Sequence, residues 1–155
     1  GQSCQGIGCF QLTVVMGQIA KNVSEKDALN YVWGFTVAND VTARDLQATD
    51  DQWARAKAFD TFCPLGPWIE TDFNCAKAIV TAKVNGRERQ NYPVSDMFFS
   101  PQELVSKLSR GMTLEAGDII SCGTSLGAMP WQNDAVVEVA IEGIGTLSNT
   151  MKEAA

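Results

Sequence analysis

The sequence predicts a single α+β domain that is mostly β. Three observations carry this. Apolar, β-branched runs of four to seven residues recur along the chain, separated by Gly, Pro and Asn turns. One separation, Asn85-Gly86 between residues 79–84 and 87–90, is a dipeptide that favours a type I′ hairpin turn. Helix signals are few. The strongest is Ser100-Pro101-Gln102-Glu103: a cap, a proline in the first turn and a glutamate at the third position.

Residues 1–8 are polar and glycine-rich, so a loose start is expected, with residues 9–155 forming the domain. Residues 10–16 read as the first strand. Ser24 with Asp27 is a weaker capping pattern ahead of Ala28, Leu29, Tyr31 and Val32, a short helical face that Gly34 would end. Residues 35–38 are the next strand, and the polar stretch 50–55 is a loop or short helix. Pro64 and Pro67 are expected to interrupt pairing before a strand at 68–70. The helix that begins at Ser100 should stop at Gly111. Glu115-Ala116-Gly117-Asp118 is a turn leading into a strand at 119–122. In residues 136–141, Val137, Val139 and Ile141 alternate with Glu138 and Ala140, giving one apolar face. There is no internal repeat and no linker.

Composition narrows the function. A chain of 155 residues can bury a real core. No apolar run approaches the ~20 residues of a membrane span, and no secretory leader is visible. No membrane partner is expected, and the compartment is expected to be cytoplasmic, or mitochondrial in a eukaryote. The net charge of −6 argues against nucleic acid, which needs clustered cations. Cys4, Cys9, Cys63, Cys75 and Cys122 are odd in number and lack CxxC spacing, which fits buried free thiols in a reducing compartment. Asn22-Val23-Ser24 matches a glycosylation acceptor, but nothing else points to secretion. The chain has no histidine. That removes the Ser-His-Asp triad, the Cys-His pair and any His-ligated metal. A general base must then be a carboxylate, a lysine, a tyrosine or a metal-bound hydroxide.

Chemistry concentrates in Tyr31-Val32-Trp33-Gly34-Phe35-Thr36-Val37-Ala38-Asn39-Asp40-Val41-Thr42-Ala43-Arg44-Asp45-Leu46-Gln47. An acid at a strand end, with a cation shortly after it, suits an anionic, metal-bound ligand. An ordinary strand exit with solvated charges fits this run equally well. Two further runs follow: Ala56-Lys57-Ala58-Phe59-Asp60-Thr61-Phe62-Cys63-Pro64-Leu65-Gly66-Pro67, and Arg110-Gly111-Met112-Thr113 through Ser121-Cys122-Gly123-Thr124. In this order the three resemble the catalytic domain of the fumarylacetoacetate hydrolase family. Residues 136–149 look like that family's closing strands, and the resemblance covers roughly residues 10–151. It implies a mixed, rolled, barrel-like β structure with a few short helices and its site at one mouth. It also implies a homodimer.

In that family a magnesium or manganese ion sits on three carboxylates. Two come from a Glu-x-Glu pair, whose side chains share one face of a strand. The third is the Asp of the Asn-Asp motif, here Asp40. The resemblance puts Cys9 and Gln11 where the two glutamates would stand. Gln11 offers a neutral oxygen, and Cys9 a soft sulfur that magnesium does not favour. Weak magnesium binding is therefore expected, with Asp40 as anchor. The resemblance further implies that Arg44 and Gln47 face the substrate. Lys57 would neutralise an enolate or carboxylate, and Thr124, after Gly123, would donate to the substrate carboxylate. Thr61 is a weaker candidate, Asp60 reads as an outward turn acid, and Asp96 as fixing a turn.

The implied function is an enzyme of 2-oxo acid or acylpyruvate metabolism that works through an enolate, with a small anionic 2-oxo acid as partner. C–C hydrolysis, decarboxylation and tautomerisation all belong to that class. Hydrolytic members activate water with a His–Glu pair on an N-terminal lid, so the two other reactions suit this chain better. Two alternatives remain: an impaired member or fragment serving in binding or assembly, and a metal-independent rearrangement or cyclisation enzyme.

Overall fold

A computed structural model describes residues 6–128, 130 and 132–152. Its strands are β1 (Gly6–Met16), β2 (Val32–Ala43), β3 (Leu65–Glu70), β4 (Ile79–Val84), β5 (Arg87–Pro93), β6 (Ile119–Ser121), β7 (Val136–Ile141) and β8 (Gly145–Thr150). Three α-helical segments accompany them: α1 (Arg44–Gln47), α2 (Ala54–Lys57) and α3 (Pro101–Gly111). Short 3-10 helices lie at Glu25–Tyr31, Cys75–Lys77 and Val94–Asp96. Asp96 is the last residue of the third of these. The strands form two four-stranded sheets, ordered β3-β2-β1-β6 and β5-β4-β7-β8, and the pairings within them are antiparallel. The fold is thus mostly β with few short helices, as expected. Among the described residues no helix is long and apolar enough to cross a membrane.

The core lies between the sheets, and β1 shows how the sequence builds it. Successive side chains on a strand point to opposite faces. Phe10, Leu12, Val14 and Met16 join Val37 and Phe35 of β2 in one apolar cluster. Facing them are Val80 and Ala82 of β4, and Val137, Val139 and Ile141 of β7. Each fully buried aliphatic or aromatic side chain contributes about 1.5–3 kcal/mol. The other face of β1 carries Cys9, Gln11 and Thr13, opposite Asp40, Ala38 and Thr36 of β2. That second face bears the polar groups described below.

Helix α3 starts as its cap demands. Ser100 Oγ accepts from the Glu103 N–H at 3.2 Å, and Glu103 Oε2 accepts from the Ser100 N–H at 2.9 Å. Its buried side is stitched to the chain before it. Ser106 Oγ donates to the Val23 carbonyl, and Ser109 Oγ accepts from the Val23 N–H.

Several expectations need correction. The loose start at residues 1–8 is not loose at its end: Gly6, Ile7 and Gly8 pair with Ala43, Thr42 and Val41. Residues 1–5, including Cys4, lie outside the described residues, as does Trp131. Ser24 does not cap through the backbone; its hydroxyl donates to Asp27 Oδ2, and the segment is a 3-10 helix. Gly34 ends no helix but lies inside β2. A Cβ there would come within 2.5 Å of the Glu70 carbonyl, so glycine lets β3 approach closely. The strand expected at 68–70 begins earlier, at Leu65, as an edge strand, while the expected interruption falls at Pro67, where pairing skips from Gly66 opposite Val37 to Glu70 opposite Phe35. Finally, β2 runs past Asp40 to Ala43, so Asp40 sits within a paired strand rather than at its end.

Candidate functional site

The odd-numbered face of β1 and its partner residues on β2 hold a connected set of polar groups. Gln11 is buried, at 4% exposure. Its Nε2 donates to Asp40 Oδ2 at 3.0 Å, and its Oε1 accepts from the Gly123 N–H at 2.9 Å. Lys57, the last residue of α2, places its ammonium on the same Asp40 oxygen and donates to Thr42 Oγ1 at 3.1 Å. Thr42 stands two residues beyond Asp40 on β2, so strand geometry turns both to one side. The pair is partly exposed, with the Lys57 side chain at 30% and that of Asp40 at 17%.

Cys9 lies directly across from Asp40 in the β1–β2 register. Burial pushes its thiol pKa up, and the Asp40 charge pushes it further, while Lys57 and Arg44 pull it back. Cys63, just before the Pro64 carbonyl that accepts from the Asn39 N–H, is raised in the same way by burial and then by Asp40. Both sulfurs are neutral thiols at neutral pH.

Thr124 turns elsewhere. Its hydroxyl and the amide of buried Gln90, on β5, are hydrogen-bonded at 3.1 and 3.2 Å. Gln90 Nε2 also donates to the Ser125 and Leu126 carbonyls. Gly127 lets this loop lie flat on β5: at φ +105° a Cβ would come within 2.4 Å of the Arg89 carbonyl. Beside it the Tyr92 hydroxyl donates to the Phe10 carbonyl at 2.7 Å, and burial raises its pKa to about 12.

The expected site residues therefore separate. Gln11, Asp40, Lys57 and Gly123 form one continuous hydrogen-bonded chain, with Cys9 beside it. Thr124 is its backbone neighbour, but its side chain serves the loop. Arg44 and Gln47, on the exposed helix that follows β2, bond to each other at 2.5 Å, and the charge of Arg44 reaches Cys9. Asp60 and Thr61 are exposed and take no part. Sequence reasoning missed Thr42, Cys63, Gln90 and Tyr92. Of these, Thr42 was within reach, since strand periodicity puts it on the face of Asp40.

The magnesium or manganese ion implied by the resemblance does not fit this donor set. The polar chain contains one carboxylate, Asp40, and one of its oxygens already accepts from both Gln11 and Lys57. A protonated thiol and an amide oxygen engaged by Gly123 are poor ligands for a hard cation. Among the described residues no group of three or more His, Cys, Asp or Glu side chains is placed to hold a metal.

Comparison with known proteins agrees with the architecture. The family model described as fumarylacetoacetate hydrolase C-terminal matches residues 10–152. The oxaloacetate tautomerase of Bacillus subtilis is 41% identical over 149 residues, which cover 90% of this chain and 50% of that protein. The crystal structure of a 5-carboxymethyl-2-hydroxymuconate delta-isomerase from Mycobacterium smegmatis superposes with a TM-score of 0.97 at 39% identity, over 99% of this chain and 61% of the other. A 2-hydroxyhepta-2,4-diene-1,7-dioate isomerase from Mycobacterium marinum superposes at 0.95 and 40% identity, over 97% and 60%. The chain thus spans only 50–61% of the length of these relatives. The matched region nonetheless begins in β1 and ends beyond β8, taking in both sheets and the whole polar chain from Gln11 to Gly123, so this protein belongs to the fumarylacetoacetate hydrolase C-terminal domain family.

Proposed function

We propose that this chain is the catalytic domain of an enzyme acting on small 2-oxo acids through an enolate, by tautomerisation or decarboxylation. The observation that carries this reading is the Lys57 ammonium, fixed by Asp40 and Thr42 yet partly exposed, and linked through Asp40 and Gln11 to the Gly123 N–H. The similarity to an oxaloacetate tautomerase and to two isomerases of unsaturated dicarboxylic acids points to the same substrate class.

In either reaction negative charge develops on the 2-oxygen. A preorganised cation in a partly dry site stabilises that charge without having to reorganise. Lys57 supplies it. Arg44 and Gln47, outside the cluster, are suited to a distal carboxylate. Hydrolysis would need an activated water as well, and the similarity to a tautomerase and two isomerases favours the reactions that do not.

The test is the conversion of enol to keto oxaloacetate, followed by the ultraviolet absorbance of the enol. The parent chain should exceed the buffer rate, and Lys57→Met should lower kcat by about 10²–10³-fold, the usual effect of removing one such donor. A parent rate no faster than buffer would sink the reading. A second reading, a binding or assembly domain that retains the fold, is favoured by Cys9 and Gln11 at the family ligand positions. It predicts binding of a substrate mimic without turnover.

A further inference from the structure

Asp40 is surrounded in this chain by groups that do the electrostatic work of a cation. In the family pattern two glutamates would face it across a divalent ion. The charges of those glutamates and of that ion are equal and opposite. Losing all three together leaves the local charge unchanged. Keeping the ion with Asp40 alone would make the site far more positive. The replacements have the matching chemistry. Gln11 donates to Asp40 at 3.0 Å, Lys57 donates to the same oxygen, and Cys9 opposite is a neutral thiol. The other end of the Gln11 amide holds the Gly123 N–H at 2.9 Å. A glutamate at position 11 could accept from Gly123 but could not donate to Asp40. Gln11 therefore ties the β2 carboxylate to the Gly123 loop.

Lys57 keeps capacity for a ligand. An ammonium has three donors, and Asp40 and Thr42 take two of them. With the side chain 30% exposed, the third is available to an incoming oxygen. Arg44 adds positive charge that is felt at Cys9.

We propose that the site binds the carboxylate of a small 2-oxo acid directly on Lys57, with no divalent ion, and that Gln11 is the positioning residue that takes over the structural part of the ion's task. This rests on the substrate class proposed above. Oxalate, a planar mimic of the enolate, is the probe. It is titrated calorimetrically into the intact chain, once with EDTA and once with excess magnesium. The Kd should agree within about twofold between the two buffers. Lys57→Met should weaken binding at least tenfold in both, about 1.4 kcal/mol. The double variant Cys9→Glu with Gln11→Glu should make oxalate binding depend on magnesium, and magnesium alone should then give a saturable heat. Melting curves confirm that the variants are folded, and the comparison of buffers on the parent needs no variant. Oxalate binding seen only with magnesium overturns the metal-free site while leaving the substrate class standing. No binding in either buffer overturns both.

Discussion

Replacing Gln11 by glutamate changes one atom type at the centre of the polar chain. The new carboxylate can still accept from the Gly123 N–H but no longer donates to Asp40 Oδ2, 3.0 Å away. A hydrogen bond to a charged group is worth about 1.5–3 kcal/mol. Repulsion between the two carboxylates adds to the loss, and the Lys57 ammonium beside them offsets part of it. The total is about 2–4 kcal/mol at pH 7. For a domain of this size each kcal/mol lowers Tm by about 2–4 °C, so a fall of about 5–15 °C is expected. The pH dependence gives the sharper test. Repulsion raises the folded pKa of the new glutamate above its unfolded value of about 4.3. Below that value it is protonated in both states and can donate to Asp40, so variant and parent should melt together. The penalty grows as pH rises past about 4.3 and is complete once the folded group also ionises. Magnesium should recover part of the loss at pH 7 and none at pH 4. Melting curves by circular dichroism from pH 4 to 8 measure all of this. A Tm difference that is flat across that range would refute the facing of Gln11 and Asp40.

Tyr92→Phe should cost about 1–3 kcal/mol, because the buried Phe10 carbonyl loses its donor at 2.7 Å. A denaturant midpoint identical to the parent's would count against that bond. The Cys122 thiol, pushed by burial to about 12, should react with iodoacetamide at pH 8 far more slowly in the folded chain than after unfolding. Its stability contribution should fall as pH rises past about 8.5, where the unfolded thiol ionises. Equal labelling rates folded and unfolded would contradict this burial. A homodimer remains our expectation. Trp33, Trp53 and Trp68, exposed at 57%, 53% and 56%, offer apolar area for such a contact. A monomer in sedimentation at high concentration would argue against it.

What the sequence revealed and what it hid follow from the range of the interactions. The hairpin at Asn85-Gly86, the start of α3 at Ser100 and the alternation of β7 are local signals, and the structure follows them. The length of β2 is not local. Asn39 to Arg44 reads as a polar exit until Gly6–Cys9 pair with Asp40–Ala43, and that pairing joins segments some thirty residues apart. Seven residues after Ser24 curl into a 3-10 helix because the hydroxyl goes to the Asp27 side chain instead of a backbone N–H. The site divides the same way. The strand motif and the resemblance were enough to single out Asp40, Lys57, Gln11 and Cys9. The bonds from Gln90 to the Thr124 loop and from Tyr92 to Phe10 join distant strands, and no periodicity announces them.

The two faces of β1 have a consequence for how such a domain can change. From Phe10 to Met16 its even positions answer to the packed interior, while Cys9 and Gln11 between and before them answer to charge and hydrogen bonding. A substitution at Cys9 or Gln11 leaves Phe10, Leu12 and Val14 seated where they are. Chemistry can thus be rewritten along one edge of the strand while the scaffold beneath keeps its shape. A lineage carrying this fold could change its cofactor dependence through a few codons, with the loss confined to the polar bonds of that face and the core left packed.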